Sequence, residues 1–163
     1  MAMFPRLRLS CWMAWCLVVF LSSWKCAEAQ RVIHVPADAA TIQEAITAAS
    51  NGDTVSIAPG TYGAAIDFDG KAITVQGAAA GVIIQGTHSG PAVVFAHGEG
   101  RSSILDNVTV QGGASLSGSS AGGVWIDHAS PTVRNSTITG NSDCGIGVHY
   151  GGPLIEREHD YRK

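Results

Sequence analysis

Beyond residue 30 the apolar positions follow a helical period once and then a strand period. Ile42, Ala45, Ile46 and Ala49 recur at i, i+3, i+4 and i+7, which predicts one helix with a single buried face. Thr41 and Glu44 stand three apart at its start, the spacing at which each side chain bonds the other residue's backbone N–H. Asn51-Gly52 ends the stripe, so a helix is expected over 41–50. After Asp53 the apolar positions alternate in short β-branched runs: 54–58 (TVSIA), 73–77 (ITVQG), 82–86 (VIIQG), 93–96 (VVFA), 108–112 (VTVQG), 124–127 (VWID), 136–140 (STITG) and 146–149 (IGVH). Gly, Pro, Asn or Asp bounds each run, as expected of strands.

The runs repeat. Residues 123–133 (GVWIDHASPTV) align with 145–155 (GIGVHYGGPLI), and 105–112 (LDNVTVQG) with 133–140 (VRNSTITG). Residues 93–97 (VVFAH) align with 124–128 (VWIDH), and a Gly/Ser-rich insert at 113–121 (GASLSGSSA) absorbs the difference in length. Repeats of roughly 20–50 residues indicate stacked units that each bury a face against the next. Three short strands per unit, turned by Asn and Gly, predict an all-β solenoid of the parallel β-helix type.

The stretch 32–60 (VIHVPADAATIQEAITAASNGDTVSIAPG), continued by Thr61-Tyr62 and 73–77, resembles the opening of right-handed, pectin lyase-like β-helix proteins. The later units are similar to that family's generic repeat, G-[IV]-x-[IV]-x-x-x-S-P-T-[IV]-x-N-S-T-I. The resemblance covers nearly all of 31–155. It implies a right-handed, single-stranded parallel β-helix with one N-terminal capping α-helix. On this reading 30–53 is an N-terminal strand and capping helix, 54–156 the β-helix of about three and a half coils, and 157–163 a disordered tail. The fold hosts lyases, hydrolases, esterases, epimerases and non-catalytic surface proteins, so it implies no reaction by itself.

Residues 1–29 have a different composition, with three of the four cysteines and none of the 20 glycines. Arg6 and Arg8 precede an apolar run at 11–21 (CWMAWCLVVFL), and Ala27-Glu28-Ala29 follows before Gln30. These are the parts of a secretory signal peptide, so a secreted or extracytoplasmic protein is expected. The apolar run is shorter than the roughly 18 residues of a membrane span. Cleavage after Ala29 leaves Cys144 as the only cysteine; with no internal disulfide, the core must hold the fold. The remaining segment has seven Lys and Arg against twelve Asp and Glu. That acidic balance argues against nucleic acid as a partner.

Alternate side chains of a strand face opposite sides. Val55/Ile57, Val93/Phe95, Val124/Ile126 and Ile146/Val148 are therefore expected inside, in one ladder. Asn107 and Asn135 align in successive coils and are expected to exchange carboxamide hydrogen bonds. Outside, Ala96, Asp127 and His149 fall in one row and His97, His128 and Tyr150 in the next, with Trp125 two residues before Asp127. Aromatic faces beside polar groups suit a sugar. His97, His128 and Asp127 could also hold a divalent metal. The plainer alternative is a hydrated outer face whose tryptophan covers a gap.

Residues 124–128 are also similar to a V-W-I-D-H segment of calcium-dependent pectate lyases, which implies a calcium ligand at Asp127 and nothing more. The further carboxylates and the arginine that such lyases need have no counterpart here, so no catalytic residue is assigned. The expected function is that of a secreted β-helix protein of the carbohydrate-handling or surface class without complete catalytic machinery. The alternatives are a fragment of a calcium-dependent, pectate lyase-like enzyme and a glycan-binding surface module. Residues 156–160 break the repeat, and the uncapped last coil suggests self-association.

Overall fold

A computed structural model describes residues 29–63, 65–115, 121–156 and 159–160. The targeting segment read at 1–29 lies, Ala29 apart, outside the described residues. β1 (Val32–Val35) and the helix α1 (Ile42–Ala48) come first. β2 (Thr54–Ile57), β3 (Gly60–Gly63) and β4 (Ile66–Asp67) form a first tier. β5 (Thr74–Gly77), β6 (Val82–Gln85) and β7 (Val93–Phe95) form a second, and β8 (Ile104–Asp106), β9 (Thr109–Gln111) and β10 (Ala121–Asp127) a third. β11 (Thr132–Arg134), β12 (Thr137–Ile138) and β13 (Cys144–His149) form a fourth. β14 (Leu154–Glu156) and β15 (His159–Asp160) continue the rotation.

From β2 onward each sheet takes every third strand. The first runs β1-β2-β5-β8-β11-β14, the second β3-β6-β9-β12-β15 and the third β4-β7-β10-β13. All of the pairs are parallel. Stacked parallel sheets with one short helix among the described residues are compatible with a parallel β-helix. The internal alignments reappear as strand register: Val124 lies beside both Val93 and Ile146, and Val133 beside Leu105. Of 157–163, only His159–Asp160 is described, and it pairs with Thr137–Ile138. Among the described residues no helix is long and apolar enough to cross a membrane.

The single ladder expected for Val55/Ile57 and the later pairs divides in two, and Val148, expected inside, is 44% exposed. Val55 stacks on Val75 and Leu105 in the first sheet. In the third sheet the place beside Val93 belongs to Ile66, and the buried rings of Phe68 and Phe95 stack with centroids 4.2 Å apart. β4 escapes the sequence reading because Ile66-Asp67 is only two residues long and lies among acidic neighbours. Burying a side chain of this size stabilises by roughly 1.5–3 kcal/mol, so the stacked rows carry the fold.

The helix forms for the reasons its sequence gives. Thr41 Oγ1 accepts from the Glu44 N–H at 3.1 Å, and Glu44 Oε2 accepts from the Thr41 N–H at 3.1 Å. Ile42, Ala45 and Ile46 are buried, and α1 packs on β1, β2 and β4. Lys71 closes the other end, its Nζ donating to the carbonyls of Ile46, Thr47 and Ala49 at 2.7, 2.7 and 2.9 Å. A cation there also opposes the helix dipole. Asp53 ties the helix exit to β1: its carboxylate accepts from the Arg31 and Ser50 N–H groups, each at 2.9 Å.

The asparagine ladder takes another form than expected. Asn107 and Asn135 share a left-handed backbone, φ 53° and 50°, but do not bond each other. Asn107 Nδ2 donates to the Gly77 carbonyl at 2.9 Å, and Asn135 Nδ2 to Asp106 Oδ1 at 2.8 Å. Each reaches back to the preceding tier, because the left-handed corner aims the carboxamide along the stack.

Candidate functional site

Every strand of the third sheet ends at a corner where the chain must leave for the next tier. Left-handed backbone makes the turn: Asp69 and Gly70 in the first tier, Gly98 in the second, His128 in the third and Tyr150 in the fourth. Gly and Asp tolerate this region, whereas a bulky residue such as Tyr150 at φ 51° is strained there. The fourth corner also lies close on the third, since a Cβ on Gly151 would stand 2.0 Å from the Ala129 carbonyl oxygen.

At the third and fourth corners Asp127 and His149 are direct neighbours across the β10–β13 pair. Asp127 Oδ1 lies 2.7 Å from His128 Nδ1 and 3.0 Å from His149 Nδ1. Two imidazoles therefore converge on one carboxylate oxygen. Partial burial works to raise the Asp127 carboxyl, but the hydrogen bond from His149 and the charge and hydrogen bond from His128 outweigh it, holding the group below the ordinary carboxylate range. Trp125 lies one outward position back along β10, its ring nearly parallel to that of His149, 15° apart with centroids 6.2 Å apart. Gly147 is its register partner in β13 and offers no side chain there. Tyr150 completes the patch, with centroids 4.2 Å from His149 and 4.9 Å from His128. Five of the six residues singled out in the sequence thus form one aromatic and imidazole surface around a carboxylate, with His128, His149 and Tyr150 exposed and Trp125 and Asp127 half-buried.

His97 does not join them. Its Nδ1 stands 3.3 Å from Asp67 Oδ1 and 3.9 Å from Glu99 Oε1, in a separate cluster at the first and second corners. The metal set of His97, His128 and Asp127 is therefore corrected, with His149 in the place of His97. Alignment put His97 in the row of His128, but the side chain turns toward the preceding tier, where Asp67 supplies an acceptor. Glu99 escaped the sequence reading altogether, although its charge in a Gly-rich turn was the available signal. It is fully buried, and its two oxygens accept from the Gly70 and His97 N–H groups, each at 2.9 Å.

Calcium fits the Asp127 cluster poorly. The ion takes six to eight oxygen ligands, and Asp127 is joined by imidazoles rather than by a second carboxylate in the cluster of described residues. On the first sheet's outer side, Asp106, Arg134, Asn135 and Glu156 line an open hollow of about 540 Å³. There Asp106 Oδ2 already accepts from Arg134 Nε at 2.9 Å, and its other oxygen accepts from Asn135. The first of these charges is spoken for by its neighbour. No family model, no curated protein and no solved structure matches the chain.

Proposed function

We propose that this is an exported, right-handed, pectin lyase-like β-helix protein that binds carbohydrate through the corner patch of its third sheet and has no complete catalytic machinery of its own. The observation that supports the reading is the gathering of half-buried Trp125 and Asp127 with exposed His128, His149 and Tyr150 on one surface drawn from adjacent strands. Nearly parallel aromatic rings offer a flat apolar strip to the C–H face of a sugar. The carboxylate accepts from hydroxyls, and the imidazoles donate or accept according to tautomer. Lyase chemistry through a calcium ion at Asp127 is disfavoured by the imidazole-rich donor set described above.

Glycan-array binding followed by calorimetry with the best oligosaccharide tests the reading. Trp125→Ala should weaken binding by about 1–2 kcal/mol, the worth of one ring contact and its buried area. Incubation with polygalacturonate should release no unsaturated ends. A calcium-dependent release abolished by Asp127→Asn would replace the binding reading with the enzymatic one.

A further inference from the structure

We propose that Asp127, His128 and His149 bind a zinc-type divalent transition metal ion through Oδ1 and the two Nδ1 atoms. Asp127 Oδ1 lies 2.7 and 3.0 Å from the two Nδ1 atoms, and each of the three residues offers a ligand atom within 4.8 Å of the others'. Donors about 2.0–2.1 Å from a tetrahedral ion stand about 3.3 Å apart. The pairs closed onto Asp127 therefore need to open by only a few tenths of an ångström. The backbone already fixes the arrangement. Asp127 and His149 are register partners in adjacent parallel strands, and the His128 N–H donates to the His149 carbonyl at 2.9 Å.

Donor type selects the ion. Two imidazoles and one carboxylate suit zinc, nickel or copper and suit calcium or magnesium poorly. To bind the ion each imidazole gives up the Nδ1 proton that it now donates to the carboxylate oxygen and keeps a proton on Nε2, so that the Nδ1 lone pair turns to the metal. Three protein ligands leave a fourth position to solvent, on a surface where the His128 and His149 side chains are 68% and 55% exposed. The other cluster, Asp67, His97 and Glu99, has the same ligand count and lacks the same freedom. Both Glu99 oxygens are committed to backbone N–H groups, and Asp67 Oδ1 accepts from the Asp69 N–H at 2.8 Å. The proposal goes beyond carbohydrate binding and needs no sugar.

The test uses the exported chain without a histidine tag, stripped with a chelator and titrated with zinc chloride by calorimetry. Cobalt(II) absorption reports the coordination geometry in parallel. The expected result is uptake of about one equivalent, weakened roughly a hundredfold or more in His128→Ala and in His149→Gln. The glutamine variant keeps a hydrogen-bonding group beside Asp127 and removes the imidazole, so a loss there is a loss of ligation. His97→Ala should bind zinc as the parent does. No uptake at millimolar zinc, or uptake abolished by His97→Ala and retained in His149→Gln, overturns the proposal. Glycan binding by the stripped protein, measured separately, keeps failure here distinct from failure of the carbohydrate reading.

Discussion

Two corner clusters lie in the same sheet, and they use their charged groups in opposite ways. At the first and second corners a buried carboxylate, Glu99, takes two backbone N–H groups from successive tiers, and its own carbonyl accepts from the Ser130 N–H at 2.7 Å. It staples three corners together, and His97 gives its backbone N–H to the staple while its imidazole remains 55% exposed. At the third and fourth corners the carboxylate is partly exposed and its partners are side chains free to turn away. A carboxylate tied to the backbone is structure; one tied only to imidazoles is available for chemistry. Residue type alone does not separate them, because each cluster combines histidine with carboxylate.

The sharpest way to break this contrast is to remove the staple. Glu99→Ala leaves two N–H groups without their charged acceptor and should cost about 3 kcal/mol or more in urea denaturation. Glu99→Gln retains one acceptor oxygen and should lose about half as much. A Glu99→Ala midpoint equal to the parent's would show that the two corners do not differ. Asp127→Ala should leave the midpoint close to the parent's while abolishing metal uptake.

Asp53 provides a second backbone-tied carboxylate with a pH signature. Hydrogen bonds from the Ser50 and Arg31 N–H groups hold its carboxyl below the ordinary value of 3.8. A folded-state value below the unfolded one gives stability that is complete above 3.8 and is lost as pH falls through the folded value. Acid titration of the denaturation midpoint should therefore show a decline below pH 3.8 that is shallower in Asp53→Asn. Equal slopes would remove Asp53 from the anchoring group.

The smallest effect should fall on the open corner. Tyr150 is 69% exposed and holds a left-handed backbone that asparagine adopts more readily. Tyr150→Asn should stabilise by about 1 kcal/mol and weaken sugar binding. Stabilisation without any loss of binding would remove Tyr150 from the patch.

Much of this was legible in the sequence because strand period, turn residues and internal alignment all report backbone register. Asp127 beside His149 follows directly from aligning 123–133 with 145–155. What escaped depends on side-chain direction and on very short strands. Ile66–Asp67 is too brief to show alternation, so the third sheet's first strand was missed and its ladder was given to Val55 and Ile57. Glu99 and Lys71 read as ordinary surface charges, since nothing in their spacing tells that a carboxylate meets two N–H groups or an ammonium three carbonyls. His97 aligns with His128, yet the left-handed residue of its corner is Gly98 rather than His97 itself, and the imidazole lies toward Asp67, a backbone difference that alignment does not carry.

The register of the third sheet has a consequence for how the chain tolerates change. Val93 and Val124 are adjacent across one strand spacing with 31 positions between their numbers, whereas Val124 and Ile146 are adjacent with 22. The number of residues between register partners thus varies while the strand spacing does not: of the nine extra residues three lie between β7 and β8 and six between β9 and β10. Closing a longer loop costs only about 0.6 kcal/mol for each doubling of its length. The stretch of sequence between β9 and β10 is the natural place for insertions to accumulate during evolution and for an epitope or reporter to be grafted, because the register of the strands on either side already accommodates six additional residues there.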